Sequence, residues 1–340
     1  MNVLVTGAAG YIGSHACKRL LAEGHTVLAL DSLDRGHRRA LDLLNAPDRL
    51  EFVEARVGDE PRVTRLLAEH RIDTVMHFAA LAYVGESVEQ PLRYYSNNVA
   101  EGLALLRACE ATGVQRFVFS SSCATYGDPP PGMIPVPETC PQHPTSPYGW
   151  TKLILEHALL DWAAARAAAR RPIGVALLRY FNVAGADAEG VLGEDHDPET
   201  HLVPVAIRAT RPGATPLSLF GTDYPTPDGT CVRDYVHVDD LADAHALVMS
   251  RLQPGDTLAY NVGLGRGYSV REVIAAVEQA TGRKVPVVEK PRRPGDAVAL
   301  YADPTKIMCD LAWAPRHTDI VEIVASAAHW FEANPNGYAD

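Results

Sequence analysis

Residues 6–13 read Thr-Gly-Ala-Ala-Gly-Tyr-Ile-Gly, directly behind the apolar run Val3-Leu4-Val5 and ahead of an amphipathic stretch. A strand that turns this sharply into a helix is the strongest constraint the chain carries. Gly7, Gly10 and Gly13 permit the tight turn and bring backbone close to whatever lies over it. Tyr11 and Ile12 then open the helix, whose free N–H groups form a seat for a pyrophosphate. The spacing G-x-x-G-x-x-G, between a first strand and a first helix, points to a dinucleotide site.

The pattern beyond this turn agrees. Short β-branched runs at 3–6, 26–30, 52–54, 74–77, 117–120 and 174–178 alternate with helical patterns near 12–23, 60–70, 91–112 and 147–170. Such alternation predicts an α/β fold, a Rossmann-type doubly wound parallel sheet with helices on both faces. From about 182 to 227 the sequence turns rich in Gly, Pro, Asp and Thr, and helical patterns return at 240–250 and 270–281. We therefore expect a dinucleotide-binding domain over 1–180. A smaller C-terminal α+β substrate lobe should span 181–340, with some segments returning to the first domain.

Three further features bear on chemistry. Asp31 ends the second strand, where a carboxylate can accept both ribose hydroxyls of an adenosine and repel a 2′-phosphate, which favours NAD over NADP. The competing reading is a cap for the turn Asp31-Ser32-Leu33. Phe78-Ala79-Ala80 follows the fourth strand, and its small residues let backbone lie against a cofactor. Tyr148-Gly149-Trp150-Thr151-Lys152 places Tyr148 and Lys152 on one helix face. Lys152 can then reach a cofactor ribose while its charge favours a tyrosinate. Bringing a phenol of pKa near ~10 to neutrality takes about 4–5 kcal/mol, within reach of an ammonium and a positive nicotinamide. Tyr148 is thus a credible general base at a sugar hydroxyl. Ser122, just past the fifth strand, is the candidate hydroxyl for the reacting oxygen. Ser120 and Ser121 read as structural, and Cys123 as a small buried neighbour.

Bulk properties exclude several classes. The formal net charge is -11, which disfavours non-specific binding to nucleic acid or to a membrane surface. The six cysteines are scattered without a C-x-x-C pair, so no zinc site or disulfide framework is signalled, no metal is expected, and a reducing cytoplasm suits them. No eighteen-residue apolar stretch and no signal-peptide pattern occurs.

Longer segments carry a specific resemblance. Residues 4–15, His77-Phe78-Ala79-Ala80, Val84-Gly85-Glu86-Ser87-Val88, Tyr94-Tyr95-Ser96-Asn97-Asn98, Leu178-Arg179-Tyr180-Phe181-Asn182 and Gly193-Glu194-Asp195 look like the UDP-galactose 4-epimerase family, in the extended short-chain dehydrogenase/reductase branch. So do Phe220 to Thr230 and Val232-Arg233-Asp234-Tyr235-Val236-His237-Val238. The resemblance spans nearly the whole chain. It implies reversible C4 epimerisation of UDP-galactose and UDP-glucose through a transient 4-keto sugar, with tightly bound NAD. It assigns Ser32, Val57, Leu81, Asn97, Ser120 and Phe181 to the cofactor with the residues above, Asn97 holding backbone near the nicotinamide. On the UDP-sugar side it implies Asn182, His201, Leu202, Ser218, Phe220, Arg233, Tyr235, Arg293, Asp296 and Leu300. It also implies a homodimer, formed where stretches 91–112 and 147–170 pair across a two-fold axis.

The chain departs from the family pattern at three places. Arg56 stands where the family often has an adenine-binding Asp. Ala82 replaces a frequent Lys. Leu300 occupies the position, often Tyr, that limits room at the sugar 2-substituent, so some tolerance of N-acetyl sugars is expected. A 4,6-dehydratase on this scaffold would carry an Asp-Glu pair after the active-site hydroxyl, where Cys123 and Ala124 stand. Epimerases of pentose or uronic-acid nucleotides differ only in pocket shape. A non-catalytic NAD-sensing protein would have no reason to keep Ser122, Tyr148 and Lys152 together.

Overall fold

The computed structural model describes residues 1–130, 132–293 and 296–338. Six strands alternate with helices through the first half: β1 (Asn2–Thr6), β2 (Thr26–Asp31), β3 (Leu50–Glu54), β4 (Thr74–His77), β5 (Arg116–Ser122) and β6 (Gly174–Tyr180). The later strands are β7 (Asn182–Ala184), β8 (Leu217–Phe220), β9 (Val232–Arg233), β10 (Tyr235–His237), β11 (Thr257–Val262), β12 (Tyr268–Ser269), β13 (Val287–Lys290) and β14 (Ala299–Leu300). The main sheet is parallel, in the order β11-β6-β5-β4-β1-β2-β3. Its seventh strand, β11, comes from the second half of the chain. The sequence reading did not identify it.

Both sheet faces are covered, which explains the nearly unbroken apolar strands. Side chains alternate. Val3, Val5, Val27 and Ala29 join one core with α1 (Tyr11–Ala22), while Leu4, Leu28 and Leu30 join the other with α3 (Glu60–Glu69). Between these two helices lies the short α2 (Arg38–Asp42). Next come α4 (Val84–Glu89) and α5 (Pro91–Tyr94). A π-helical turn over Tyr95–Ala100 leads into α6 (Glu101–Thr112), so the single helix expected over 91–112 is interrupted. The longest helix is α7 (Pro147–Ala168), capped by Ser146, whose hydroxyl accepts from Gly149 N. The second half adds α8 (Leu202–Ala209), α9 (Val238–Arg251), α10 (Val270–Thr281), α11 (Thr305–Leu311) and α12 (Ile320–Ala333). Of these, α9 returns to cover the main sheet beside α1, while α8, α10 and α12 share a third core.

The strand order reverses at β1 and β4. Chains leave these two strands in opposite directions and open a crevice at their carboxyl ends, where doubly wound sheets bind ligands. Gly7 and Phe78 stand at that point.

Candidate active site

The glycine turn is closed too tightly for any other residue. Gly7 has φ +69°, and a Cβ there would lie 2.5 Å from Ala79 N; one at Gly13 would lie 2.0 Å from Gly7 O. Gly10 occupies the N-cap of α1 and supplies no capping side chain. The first-turn amides of α1 thus face the crevice without a cap from their own N-cap residue, a donor set that fits a dinucleotide pyrophosphate. The Tyr11 hydroxyl donates to Gly185 O at 2.6 Å and so points into the second lobe.

Asp31 is buried, and its carboxylate accepts from Ala9 N at 2.9 Å and Leu33 N at 2.8 Å. Burial pushes its carboxyl upward and these amides pull it back. Asp31 ties the β2 turn together, as the capping reading expected, and stands at the end of β2, where the ribose reading needs a carboxylate. Ser32 accepts from Asp34 N in that turn. Arg35 lies over the Tyr83 ring at 5.0 Å and bonds Glu86 at 3.0 Å.

Just past β3, the Arg56 guanidinium binds Asp34 at 2.8 Å, Glu101 at 2.8 Å and Asn97 Oδ1 at 2.7 Å. It therefore ties three segments together, while Val57 beside it is buried. Asn97 was expected to hold backbone, and here the structure differs. Asn98 accepts from Leu81 N at 2.9 Å and donates to Leu81 O at 3.0 Å, while Asn97 turns to Arg56 and to Asn98. The Asn98 amide also donates to Thr151 Oγ1, whose hydroxyl donates to Tyr148 O. Asn98 thereby fixes the segment after Phe78-Ala79-Ala80 against α7. Sequence reasoning missed it.

Ser122, Tyr148 and Lys152 come together at the carboxyl edge of β5. Ser122 Oγ accepts from Ala124 N at 3.1 Å, and its hydroxyl is near enough to Tyr148 to favour the phenolate. Tyr148 is buried against Leu81 and Tyr94. Burial raises its hydroxyl well above the ordinary tyrosine value; Tyr180 adds to this and the Ser122 hydroxyl opposes it. Lys152 is buried, donates to Ser120 O at 2.7 Å and lies 5.8 Å from the Tyr148 ring centre. Burial lowers it to about 7, with Glu156 acting the other way. The protein alone does not stabilise a tyrosinate: a further positive charge is needed beside Tyr148. Ser120 and Ser121 are structural as read, donating to the Tyr180 hydroxyl and to Glu156.

The residues that the resemblance assigned to the UDP-sugar lie on or beside β7 to β10, β14 and α8. Asn182 in β7 pairs in register with Tyr235 in β10, and Arg233 in β9 with Leu300 in β14. Arg233 donates to Val232 O and Ala297 O, and lies 3.5 Å from Asp296. Leu300 is buried with Tyr126, Val136 and Phe181. Ser218 and Phe220 lie on β8, and the Arg293 guanidinium sits 3.9 Å over the Phe220 ring centre. Cys123, the residue after Ser122, packs against the same cluster as Leu300 and Phe181. Leu202 opens α8, with His201 at its N-cap.

Residues 3–263 match the NAD dependent epimerase/dehydratase family. A probable UDP-arabinose 4-epimerase of Oryza sativa subsp. japonica is 44% identical over 345 residues, covering 99% of this chain and 84% of that protein. A UDP-glucose 4-epimerase of Lactobacillus helveticus is 43% identical over 341 residues, covering 100% of both. The crystal structure of a UDP-glucose 4-epimerase from Stenotrophomonas maltophila, with bound NAD and formylated UDP-arabinopyranose, superposes with a TM-score of 0.92. It is 41% identical and covers 98% of this chain and 99% of that one. The glycine turn, the buried Ser-Tyr-Lys group and this full-length likeness agree: the chain belongs to the NAD dependent epimerase/dehydratase family.

Proposed function

We propose that the protein inverts C4 of UDP-glucose and UDP-galactose, holding NAD tightly through the cycle. The observation that carries this reading is the buried trio Ser122, Tyr148 and Lys152, gathered at the carboxyl edge of β5. Tyr148 takes and returns the C4 hydroxyl proton, and Ser122 hydrogen-bonds the reacting oxygen. Lys152, anchored on Ser120 O, adds positive charge near both. Bound NAD supplies a reversible hydride acceptor at C4 and, when oxidised, the positive ring that offsets the burial of Tyr148. Arg233 and Arg293 hold the diphosphate side, and Asp296 accepts from the uridine ribose. His201, Leu202, Ser218, Phe220 and Tyr235 line the nucleotide.

Cys123 and Ala124 offer no acid/base pair after Ser122, which supports epimerisation over dehydration. The likeness to the rice protein carries a second reading, with a pentose as the sugar. The ratio of kcat/KM for UDP-arabinose and UDP-galactose ranks the two. Comparable conversion of UDP-glucose and UDP-galactose that fails in Tyr148→Phe supports the main reading. Conversion undiminished in that variant would remove Tyr148 from the chemistry.

We further propose a cytoplasmic homodimer. Leu92 (80% exposed), Trp150 and Ile154 leave an apolar strip on α5 and α7, where a second copy would cover it. Sedimentation of Trp150→Glu against the unsubstituted protein tests this pairing. Among the described residues, no helix is long and apolar enough to cross a membrane.

A further inference from the structure

The segment between β7 and α8 turns four donor atoms toward one centre. They belong to Glu194, His196, Glu199 and His201, and all lie within 4.8 Å of one another. His201 Nδ1 is 2.9 Å from Glu194 Oε1 and 3.0 Å from Glu199 Oε1. His196 Nδ1 is 3.3 Å from Glu194 Oε1 and 3.6 Å from Glu199 Oε2. Zinc bonds of about 2.1 Å in tetrahedral geometry place neighbouring donors roughly 3.4 Å apart. With Oε2 as the Glu199 donor, the separations of 2.9, 3.3 and 3.6 Å bracket that value.

A second observation points the same way. His196 Nδ1 and Glu199 Oε2 are buried and make no hydrogen bond among the described residues, although they face each other. Two buried polar atoms left in this state are costly without a partner between them. The other oxygen of Glu199 is already fixed, accepting from Thr200 N at 2.7 Å and His201 N at 2.8 Å. Such outer bonds orient a ligating carboxylate. The Tyr83 ring packs 5.9 Å from both imidazoles, and Tyr11 packs 6.4 Å from His196, giving the centre an apolar wall.

We propose that Glu194, His196, Glu199 and His201 form a binding site for one divalent transition-metal ion, zinc being the best match to the donor set. Two neutral imidazoles and two carboxylates carry two negative charges, which one such ion cancels. Zinc takes imidazole in its neutral form, so it competes with protons for both ring nitrogens. The ion would cross-link the segment entering α8 and fix the tautomer of His201. The ring nitrogen of His201 not turned to the metal stays free, its side chain 42% exposed. The sequence reading looked for metal sites among cysteines alone and expected none.

Stripping the NAD-containing protein with EDTA and titrating it with CoCl2 and then ZnCl2 tests the site. The expected result is one cobalt per chain with the intense visible absorption of tetrahedral Co2+, displaced by zinc. Calorimetry in two buffers should show release of about two protons. His196→Gln and Glu194→Gln should each weaken binding by at least about tenfold, and Cys309→Ser, which removes the exposed thiol, should leave the spectrum unchanged. Absence of saturable binding by the unsubstituted protein overturns the proposal, whatever the variants do. A signal that survives both substitutions, or is lost with Cys309, overturns it equally, and the cluster is then a buried ion-pair network. None of these readouts depends on the sugar reaction, so failure here leaves the epimerase reading standing.

Discussion

Lys152→Met in the NAD-free protein should separate stability from function. The Lys152 ammonium is buried and its closest hydrogen-bond partner is one carbonyl, Ser120 O. Burial brings its pKa from 10.5 to about 7. Each unit corresponds to about 1.4 kcal/mol, so the charged form costs the fold of order 3–5 kcal/mol, part of which the Ser120 bond already offsets. The sign follows from proton counting. Between about pH 7 and 10.5 the unfolded chain holds the proton and the folded chain does not, so stability rises with pH across that window. Below pH 7 the full penalty is present. Lys152→Met lacks this dependence. Urea unfolding at pH 6, 8 and 10 should therefore show the variant gaining most at pH 6, and the advantage shrinking by several kcal/mol toward pH 10. Turnover, read separately in the NAD-loaded variant, should be lost throughout. A pH-independent difference between the two proteins would refute the claim that burial of this charge is costly.

Other substitutions probe the supports of the site. Asn98→Ala strands the Leu81 N–H and C=O in a buried position and should cost about 2–4 kcal/mol, read by chemical denaturation, with kcat falling more than KM rises. Glu156→Gln leaves the buried Arg179 guanidinium without its countercharge. It should destabilise by about 3–5 kcal/mol, visible as a lower unfolding midpoint in urea. Leu300→Tyr should lower turnover of UDP-N-acetylglucosamine relative to UDP-glucose. Complete inactivity of the unsubstituted protein on the acetylated sugar would show that Leu300 leaves no room.

The parts of this fold fixed by local chemistry were readable in the sequence. Gly7 and Gly13 have no room for a Cβ, so their spacing reports a real backbone approach. Tyr148 and Lys152 share one helical face, so a four-residue spacing was enough to pair them. The backbone-holding role expected of Asn97 falls to Asn98 for a physical reason. A π-helical turn over Tyr95–Ala100 shifts the helical phase, and phase decides which of two adjacent asparagines faces Leu81. Strand β11 escaped because a six-residue segment that mixes polar Thr257 and Asn261 with apolar residues, outside the early β-α rhythm, has no periodicity to distinguish it. The Glu194 to His201 cluster lies in irregular backbone, where side-chain convergence depends on tertiary contacts with Tyr11 and Tyr83.

The most direct test of the central claim is incubation of the purified protein with UDP-galactose, without added NAD, following UDP-glucose by chromatography. Conversion to an equilibrium mixture, abolished in Tyr148→Phe, is the predicted result and also shows that cofactor stays bound through purification. No UDP-glucose, even after NAD is supplied, would contradict the assignment of UDP-hexose C4 as the reacting centre.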